Sequence, residues 1–498
     1  MVSTRTPVYL GLDVGTASTK GVLVSRDGDV VAMTTRTHRV LSPQPGFVEI
    51  DPEIIWREVL SIIDELSTST AVVVLAMSVS AMGPCVVLTD RQGSALTPAI
   101  LYGVDTRNES DNRSLTRELS NEKLVAISGN VLSSQSAGSK LLWLRRERSD
   151  VWGSAFRFHS LASYLVYRLT GEYVMDHHTA SQFDPLYDLD GACWWHDGVQ
   201  AVLGDSAIEM PALAWSDQVV GNLQQPIGAI EAGVPVTAGL VDAWAEAVSV
   251  GADAPNQLML MYGTTMFLIA NSDSRRQGEG LWSTRAADSA TYSLAGGTAT
   301  SGAITHWWSE IFGEPDFGML ISEAAGTVPG SNGLLTLPYF AGERTPFFDP
   351  DARGLVVGLT TQHNRGDLYR SALEATGFAV RHNLEHFARS GSQVAHGTAV
   401  GGGAQSELWP QIVSDITGLP QMLRKRSIGA AYGDAVLAAT ALEGRPSLDL
   451  WNPMVTHIDP RAETSALYDD LFARYIELHD IVRPAMHHLA ELQRTSNA

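Results

Sequence analysis

The sequence predicts an α/β protein made of two related halves, and three observations carry that reading. The chain of 498 residues is too long for a single core, so two to four domains is the starting expectation. Apolar strand-like runs alternate with amphipathic helical stretches from one end to the other. One pattern also occurs twice: an apolar strand, a Gly-Thr turn and a second apolar strand, at Tyr9–Val24 (YLGLDVGTASTKGVLV) and again at Leu258–Ala270 (LMLMYGTTMFLIA). Internal duplication of this kind puts two Gly-Thr turns on two similar domains, facing one another across a cleft.

The first copy is a β-hairpin by pattern, two apolar strands joined by a short Gly-containing loop. Its loop, Asp13 to Lys20, is rich in small residues and hydroxyls. Gly15 lets the backbone turn and leaves room for a large group. Thr16, Ser18 and Thr19 bring hydroxyls, the backbone brings N–H groups, and Lys20 brings positive charge. A concave set of donors suits phosphate oxygens. Asp13 is the odd member, because a carboxylate beside phosphate is repulsive unless a cation lies between them, which suggests Mg²⁺. A polar surface turn accounts for the same residues locally, and the spacing is not that of a P-loop.

After a turn at Asp27-Gly28, the run Val30–Thr37 is expected to complete three antiparallel strands. Asp51 and Pro52 start a helix through about Leu66, with Ile54, Ile55, Val59, Ile62 and Ile63 on one face. Ala71–Val79 reads as a strand buried on both faces. It ends in SAMGPC, and Val86–Leu88 resumes as a strand. In PAILYGVDTRN (Pro98–Asn108), Asp105 and Arg107 are either a polyol-binding pair or a salt bridge. Residues 111–230 are expected to be mostly helical, with Trp143, Trp152, Trp194, Trp195 and Trp215 as packing residues and Cys193 buried and inert. Val234–Gly251 reads as strand, turn and helix, with Asp242 either capping the helix or facing a substrate alcohol.

The second hairpin has Gly263-Thr264-Thr265 at its turn and no counterpart of Asp13. AGGTATSGAITHWW (Ala295–Trp308) is Gly-rich and then helical, Leu337–Leu359 is irregular, and a helix covers about Gly366 to Phe387. In HGTAVGGGAQSELWPQIVSDITG (His396–Gly418) a strand enters Gly401-Gly402-Gly403 and then an amphipathic helix, whose N-terminus favours anions. The small-residue helix Gly429–Leu442 is expected to pack closely on that strand. A last helix contains Tyr468 to Ile481, followed by a polar tail.

Composition limits the function classes. A net charge of −21 argues against nucleic acid and against an anionic membrane surface as partners. Two cysteines, Cys85 and Cys193, make no disulfide framework or clustered metal site. The N-terminal MVSTRTPVYLGL lacks a signal-peptide apolar region and no run is long enough to span a bilayer, so a cytoplasmic location is expected.

Taken together, these stretches resemble the FGGY carbohydrate kinases, a family of the actin and hexokinase superfamily. DVGTASTK (Asp13–Lys20) is similar to the family's first phosphate motif and MYGTT (Met261–Thr265) to the second. GGGAQSELW (Gly401–Trp409) is similar to the adenosine motif, and YFAGERTPFFDPDARGLVVGL (Tyr339–Leu359) to the long central signature. The resemblance spans nearly the whole chain. It implies two ribonuclease-H-like domains, residues 1–252 and 253–498, each a five-stranded mixed sheet with helices on both faces, and ATP and sugar meeting in the cleft. It implies that Asp242 is the catalytic base and that Asp13 acts through Mg²⁺. Gly15, Thr16, Ser18, Lys20, Thr264 and Thr265 would line the phosphates, Gly302 would border the nucleotide, and Gly402, Gly403, Ala404 and Ser406 would border the adenosine. Homodimers are common in the family.

The resemblance is to the xylulokinase branch, which implies a pentulose acceptor bound by residues at Met82, Gly83, Asp105, Arg107 and Asp242. The chain departs from that branch in one place. Xylulokinases end the Val79 strand in LSGQMHG, and here the sequence is VSAMGPC, with Met82-Gly83-Pro84 replacing the Gln-Met-His step. Loss of an amide and an imidazole removes groups that select hydroxyls. A kinase for erythritol, L-ribulose, glycerol or gluconate therefore remains an alternative. A non-kinase ATP switch on the same superfold would call for an appended peptide- or DNA-binding domain, and only about ninety residues follow the adenosine motif.

Overall fold

The structure, a computed structural model, describes residues 5–496. The first four residues of the N-terminal stretch and the end of the polar tail lie outside the described residues. The chain forms two compact units. The first runs through Asp253 and takes in Thr284–Tyr292 and Ile428–Pro453; the second comprises Ala254–Ser283, Ser293–Ser427 and the chain from Met454 onward. The expected division at 252/253 assigns Thr284–Tyr292 and Ile428–Pro453 to the second half, whereas in the structure both segments pack with the first.

The first unit is built on a seven-stranded mixed sheet rather than a five-stranded one. Its order is Val219–Asn222, Pro235–Thr237, Val72–Ala81, Thr6–Val14, Ser18–Ser25, Val30–Thr37, with Leu240–Val241 also pairing to Val72–Ala81. The hairpin is antiparallel with Asp13 opposite Lys20, and Val30–Thr37 extends it antiparallel. Val72–Ala81 runs parallel to the first strand, placing Ser80 beside Asp13. One face of the sheet is covered by the Pro52–Ser69 helix, capped by Asp51 with Pro52 at its first turn. Its Ile55, Val59, Ile62 and Ile63 are fully buried, while Ile54 points outward. Helices dominate from Glu109 to Leu203, and after them Val219–Asn222 joins the sheet edge, so the expected helical stretch stops short of residue 230. Cys193 is exposed on the small hairpin strand Cys193–Trp194, contrary to the expectation of burial, because that hairpin lies at the surface.

The Ala430–Glu443 helix packs on Thr6–Val14 and on Asp242–Ser249, not on the His396–Val400 strand as its sequence position suggested. The contacts are backbone on backbone. A Cβ at Gly11 would lie 2.8 Å from Ala435 N and overlap the Ala431 carbonyl oxygen; one at Gly433 would lie 2.7 Å from Ala245 C and overlap its oxygen. Only glycine tolerates such approach, and the alanines on the helix keep the opposing surfaces thin.

The second unit repeats the plan. Its sheet order is Trp282–Arg285, Tyr292–Thr298, Met266–Ser272, Gln257–Tyr262, His396–Val400, Gln421–Arg424, Met454–Ile458. Again an antiparallel hairpin, with Tyr262 opposite Met266, is joined on its first strand by a parallel strand, His396–Val400. Helices Arg365–Arg389, Leu408–Thr417 and Ser465–Ser496 close its core. A 3₁₀ turn at Gly402–Gln405 takes in the second and third of the three glycines and precedes the Leu408–Thr417 helix.

These packing differences predict opposite outcomes for two glycine substitutions. Gly433→Ala forces backbone apart and is expected to cost about 1–3 kcal/mol of stability or more. Gly402, whose Cβ would meet nothing within 4 Å, is expected to accept alanine without a change in thermal unfolding. Calorimetry of the two variants checks both.

Candidate active site

The first hairpin loop is held from below and open above. Gly15 N–H donates to Ser18 O at 2.9 Å, closing the turn. His38 Nε2 meets Gly15 O and its Nδ1 meets Glu58, both at 2.9 Å, while Thr19 Oγ1 donates to Glu58 at 2.6 Å. Thr19 is thus an internal strut. The Thr16 and Ser18 hydroxyls, by contrast, make no hydrogen bond to the described residues. A Cβ at Gly15 would touch only Ser18 O, at 3.6 Å. Lys20 reaches Ile428 O at 2.9 Å, pinning the ammonium at the start of the Ala430–Glu443 helix.

Asp13 Oδ1 is shielded from solvent and has no partner among the described residues. Burial pushes its carboxyl up to about 8; the Asp242 charge adds to the rise, Lys20 opposes it, and Glu246 adds again. Asp242 opens the Asp242–Ser249 helix, directly after the Leu240–Val241 strand; Gly239 turns the chain there at φ +87°. The helix cap is Val241, and the Asp242 carboxylate accepts the Ala243 N–H at 2.8 Å. Its second oxygen makes no hydrogen bond to the described residues. Burial raises Asp242 to about 6, with the backbone N–H groups of Ala243 and Asp242 opposing. Asp242 is therefore a weaker acid than an ordinary carboxyl. Glu246, one turn along the same helix face, is raised to about 7 by burial and by Asp242, against Lys20.

Behind Asp13 lies a group that sequence reasoning missed. Asp434, fully buried on the Ala430–Glu443 helix, accepts Ser80 Oγ at 2.7 Å and Ser78 Oγ at 3.4 Å. Burial holds it well above the usual carboxylate range, and Asp13 adds to the effect. The signal was present as a single carboxylate in the otherwise apolar GAAYGDAVLAA.

The expected sugar-side residues divide. Gly83 lies against the residue that precedes Asp242: a Cβ there would lie 2.9 Å from Val241 Cγ2. Met82 belongs to the apolar core, with its N–H on Val14 O at 2.7 Å. Asp105 and Arg107 are a buried pair rather than a surface one. Arg107 Nε and Nη2 both bond the Asp105 carboxylate, at 2.9 and 2.7 Å, and Nη2 also bonds Glu49 at 2.7 Å. Val48 N–H donates to Asp105 Oδ2 at 2.7 Å, and the guanidinium lies 4.0 Å from the centre of the Phe47 ring and 4.9 Å from that of Trp143. Trp244 is buried against His178, ring centres 4.1 Å apart.

In the second unit, the Gly263–Thr265 turn is fastened by a helix start. Ser301 and Ala303 N–H donate to Thr264 O at 2.9 and 3.0 Å, and Gly302 N–H to Gly263 O at 2.9 Å. Those amides are committed, leaving the Thr264 and Thr265 hydroxyls, which make no hydrogen bond to the described residues. Gly403 packs under Trp409, where a Cβ would fall 2.6 Å from the ring, and Ala404 is buried. Gly402 faces open space, and Ser406 Oγ accepts Leu408 N–H at 3.3 Å.

Residues 8–249 match the model of the N-terminal domain of the FGGY family of carbohydrate kinases, and residues 258–442 match that of its C-terminal domain. The chain belongs to the FGGY family of carbohydrate kinases. It is 29% identical to the xylulose kinase of Escherichia coli (strain K12), over 96% of this chain and 100% of that protein. It is 30% identical to the glycerol kinase of Methylorubrum extorquens (strain PA1), over 86% of this chain and 88% of the relative. Its fold is similar to the crystal structure of xylulose kinase from Rhodospirillum rubrum, with a TM-score of 0.89 and 28% identity, covering 96% of this chain and 100% of that one. The chain is thus a sugar kinase using ATP.

In this FGGY kinase, Asp13, Asp242 and Glu246 are three interacting carboxyls faced by one ammonium. Their apparent titrations are expected at about 6 to 8, as coupled steps of the cluster. Carboxyl ¹³C chemical shifts of the labelled protein, followed against pH, measure this directly. Midpoints for all three near the ordinary value of about 4 would contradict the burial described.

Proposed function

We propose that the chain transfers the γ-phosphoryl group of ATP to a hydroxyl of a small sugar, foremost a pentulose such as xylulose. The observation that carries this reading is the end-to-end similarity to xylulose kinases in sequence and in fold. Asp242 is the base: its free oxygen accepts the proton of the attacking hydroxyl as the new P–O bond forms and ADP leaves. Little covalent help is needed from the protein, and orientation with electrostatics supplies most of the acceleration. On the first unit the Thr16 and Ser18 hydroxyls and Lys20 suit phosphate oxygens, on the second the Thr264 and Thr265 hydroxyls do, and the open face at Gly402 suits the adenosine.

The residues at Asp13 fit a hydrated Mg²⁺. A shielded carboxylate oxygen without a partner, in a region of excess negative charge, favours a cation. A single carboxylate can serve Mg²⁺, which takes one or two carboxylates and completes its shell with water and phosphate. When bound it would offset the phosphate charge. The 30% identity to a glycerol kinase and the Met82-Gly83-Pro84 step favour a second reading, in which the acceptor is another polyol or sugar acid such as erythritol, L-ribulose, glycerol or gluconate. No described helix is long and apolar enough to cross a membrane.

ADP release measured across a panel of ketoses, polyols and sugar acids tests the reading. A pentulose is expected to give the highest kcat/KM, and a panel no faster than the basal ATPase rate would overturn kinase activity. Asp242→Asn is expected to abolish sugar phosphorylation while ATP still binds. In the wild type a base must be ionised, so kcat/KM is expected to fall as pH drops below about 6, where Asp242 takes up its proton. A flat profile from pH 5 to 8 would remove Asp242 from the role. For Asp13→Asn, Mn²⁺ titration followed by electron paramagnetic resonance is expected to show weakened metal binding with nucleotide present, while metal-free nucleotide affinity holds. Equal losses in both would exclude Asp13 as the anchor.

A further inference from the structure

Lys140 is a fully buried ammonium that the proposed chemistry does not use. It projects from the Ala137–Glu147 helix and donates to three backbone carbonyls: Leu101 O at 2.5 Å, Tyr102 O at 3.0 Å and Ser134 O at 2.8 Å. An ammonium carries three protons and no acceptor, so its donor capacity is filled by these bonds. The carbonyls come from two loops that neither strand nor helix ladders satisfy. One is Leu101–Arg107, the segment read as a sugar-side wall; the other is Ser133–Ser136.

Further bonds stitch the same loops. Gln135 Oε1 accepts Gly103 N–H at 3.0 Å, and Asn108 Nδ2 donates to Ser133 O at 3.3 Å and Ser136 O at 3.2 Å. A Cβ at Gly103 would fall 2.7 Å from Gln135 Cδ and push that amide off the loop. The ammonium is the only charged member of this set. Buried Cys85 feels the charges of Lys140, Asp242 and Asp105 alike. A buried charge is costly, and burial draws this one down to about 7 against the pull of Asp105 and Cys85. A simple packing position would take Leu or Met at lower cost.

We propose that Lys140 is a positioning residue for sugar binding, holding the Leu101–Arg107 and Ser133–Ser136 loops in the register that faces the acceptor sugar. This rests on the reading of residues 98–108 as part of the sugar site. The two loops are one mechanical piece because one ammonium spans both. Polyol affinity, not nucleotide affinity, is therefore the property that Lys140 sets.

The test uses the full chain and the best acceptor from the substrate panel. Lys140→Met is expected to raise the KM for that sugar by about tenfold or more, with the Kd of a fluorescent ATP analogue changed less than about twofold. Lys140→Ala leaves a cavity the size of the missing stem, and propylammonium is expected to restore sugar KM where propanol does not. In the wild type, hydrogen exchange is expected to slow in residues 101–107 and 133–136 together when sugar is added, a readout that stands even if both variants misfold. Unchanged sugar KM, an equal loss of nucleotide affinity, rescue by propanol as well as propylammonium, or protection of one loop alone would overturn the assignment. A wild type that phosphorylates no member of the panel would instead overturn the kinase reading, and this one with it.

Discussion

The backbone contact of the Ala430–Glu443 helix with Gly11 on one side and Ala245 on the other is the constraint on which the first unit depends. Gly11 lies two residues before Asp13 on its strand, and Ala245 lies three residues after Asp242 on its helix. One rigid element therefore gauges the separation of the two carboxylates proposed for catalysis. The same helix begins where Lys20 is pinned on Ile428 O and carries Asp434 into the serines beside Asp13. Interiors are close-packed, so a thin helix held by glycine on both sides transmits a shift rather than absorbing it. The segment comes from the far end of the chain, and with it the first unit is completed only after most of the second has been made.

Asp13, Asp242, Glu246 and Asp434 all hold their protons more tightly than ordinary carboxyls, and burial is the leading cause each time. A cluster with one ammonium among four carboxyls is unfavourable when fully ionised. Such a region is at ease in two circumstances: when protons are retained, or when a cation arrives. On the proposed reading the cation would arrive with the nucleotide, and it would lower the Asp13 carboxyl, which is more strongly raised than that of Asp242.

Much of this was legible in the sequence, and the residues show why the rest was not. Both hairpins follow from alternating apolar runs around Gly-Thr turns, a local pattern that the tertiary structure leaves intact. Asp51 and Pro52 fix a helix start by capping chemistry that acts within one turn. The Gly429–Leu442 stretch announced close packing through its small residues but not its partner, because smallness says how near a surface comes and not which surface. The edge strands that widen each sheet to seven are short, and short strands carry weak periodicity. Asp105 and Arg107 looked equally suited to a polyol and to each other. The choice is made by Val48 and Glu49, more than fifty residues away in sequence.

That last pairing bears on how an acceptor can be selected. Both Asp105 oxygens are engaged by Arg107, and one also by the Val48 N–H, while Arg107 divides its donors between Asp105 and Glu49 and lies flanked by Phe47 and Trp143. Hydroxyl recognition by this pair therefore competes with bonds already made in a buried setting. With Met82 in the core and glycine and proline in place of Met-His, few side-chain donors remain on that wall. A site that hydrogen-bonds a particular hydroxyl rejects its absence strongly, whereas a site shaped by backbone and apolar surface discriminates by size. On the proposed reading of residues 98–108 the wall would belong to the second type, with its backbone held by Lys140. Discrimination among small polyols would then follow the spacing of the two loops more than the identity of any one side chain facing the sugar.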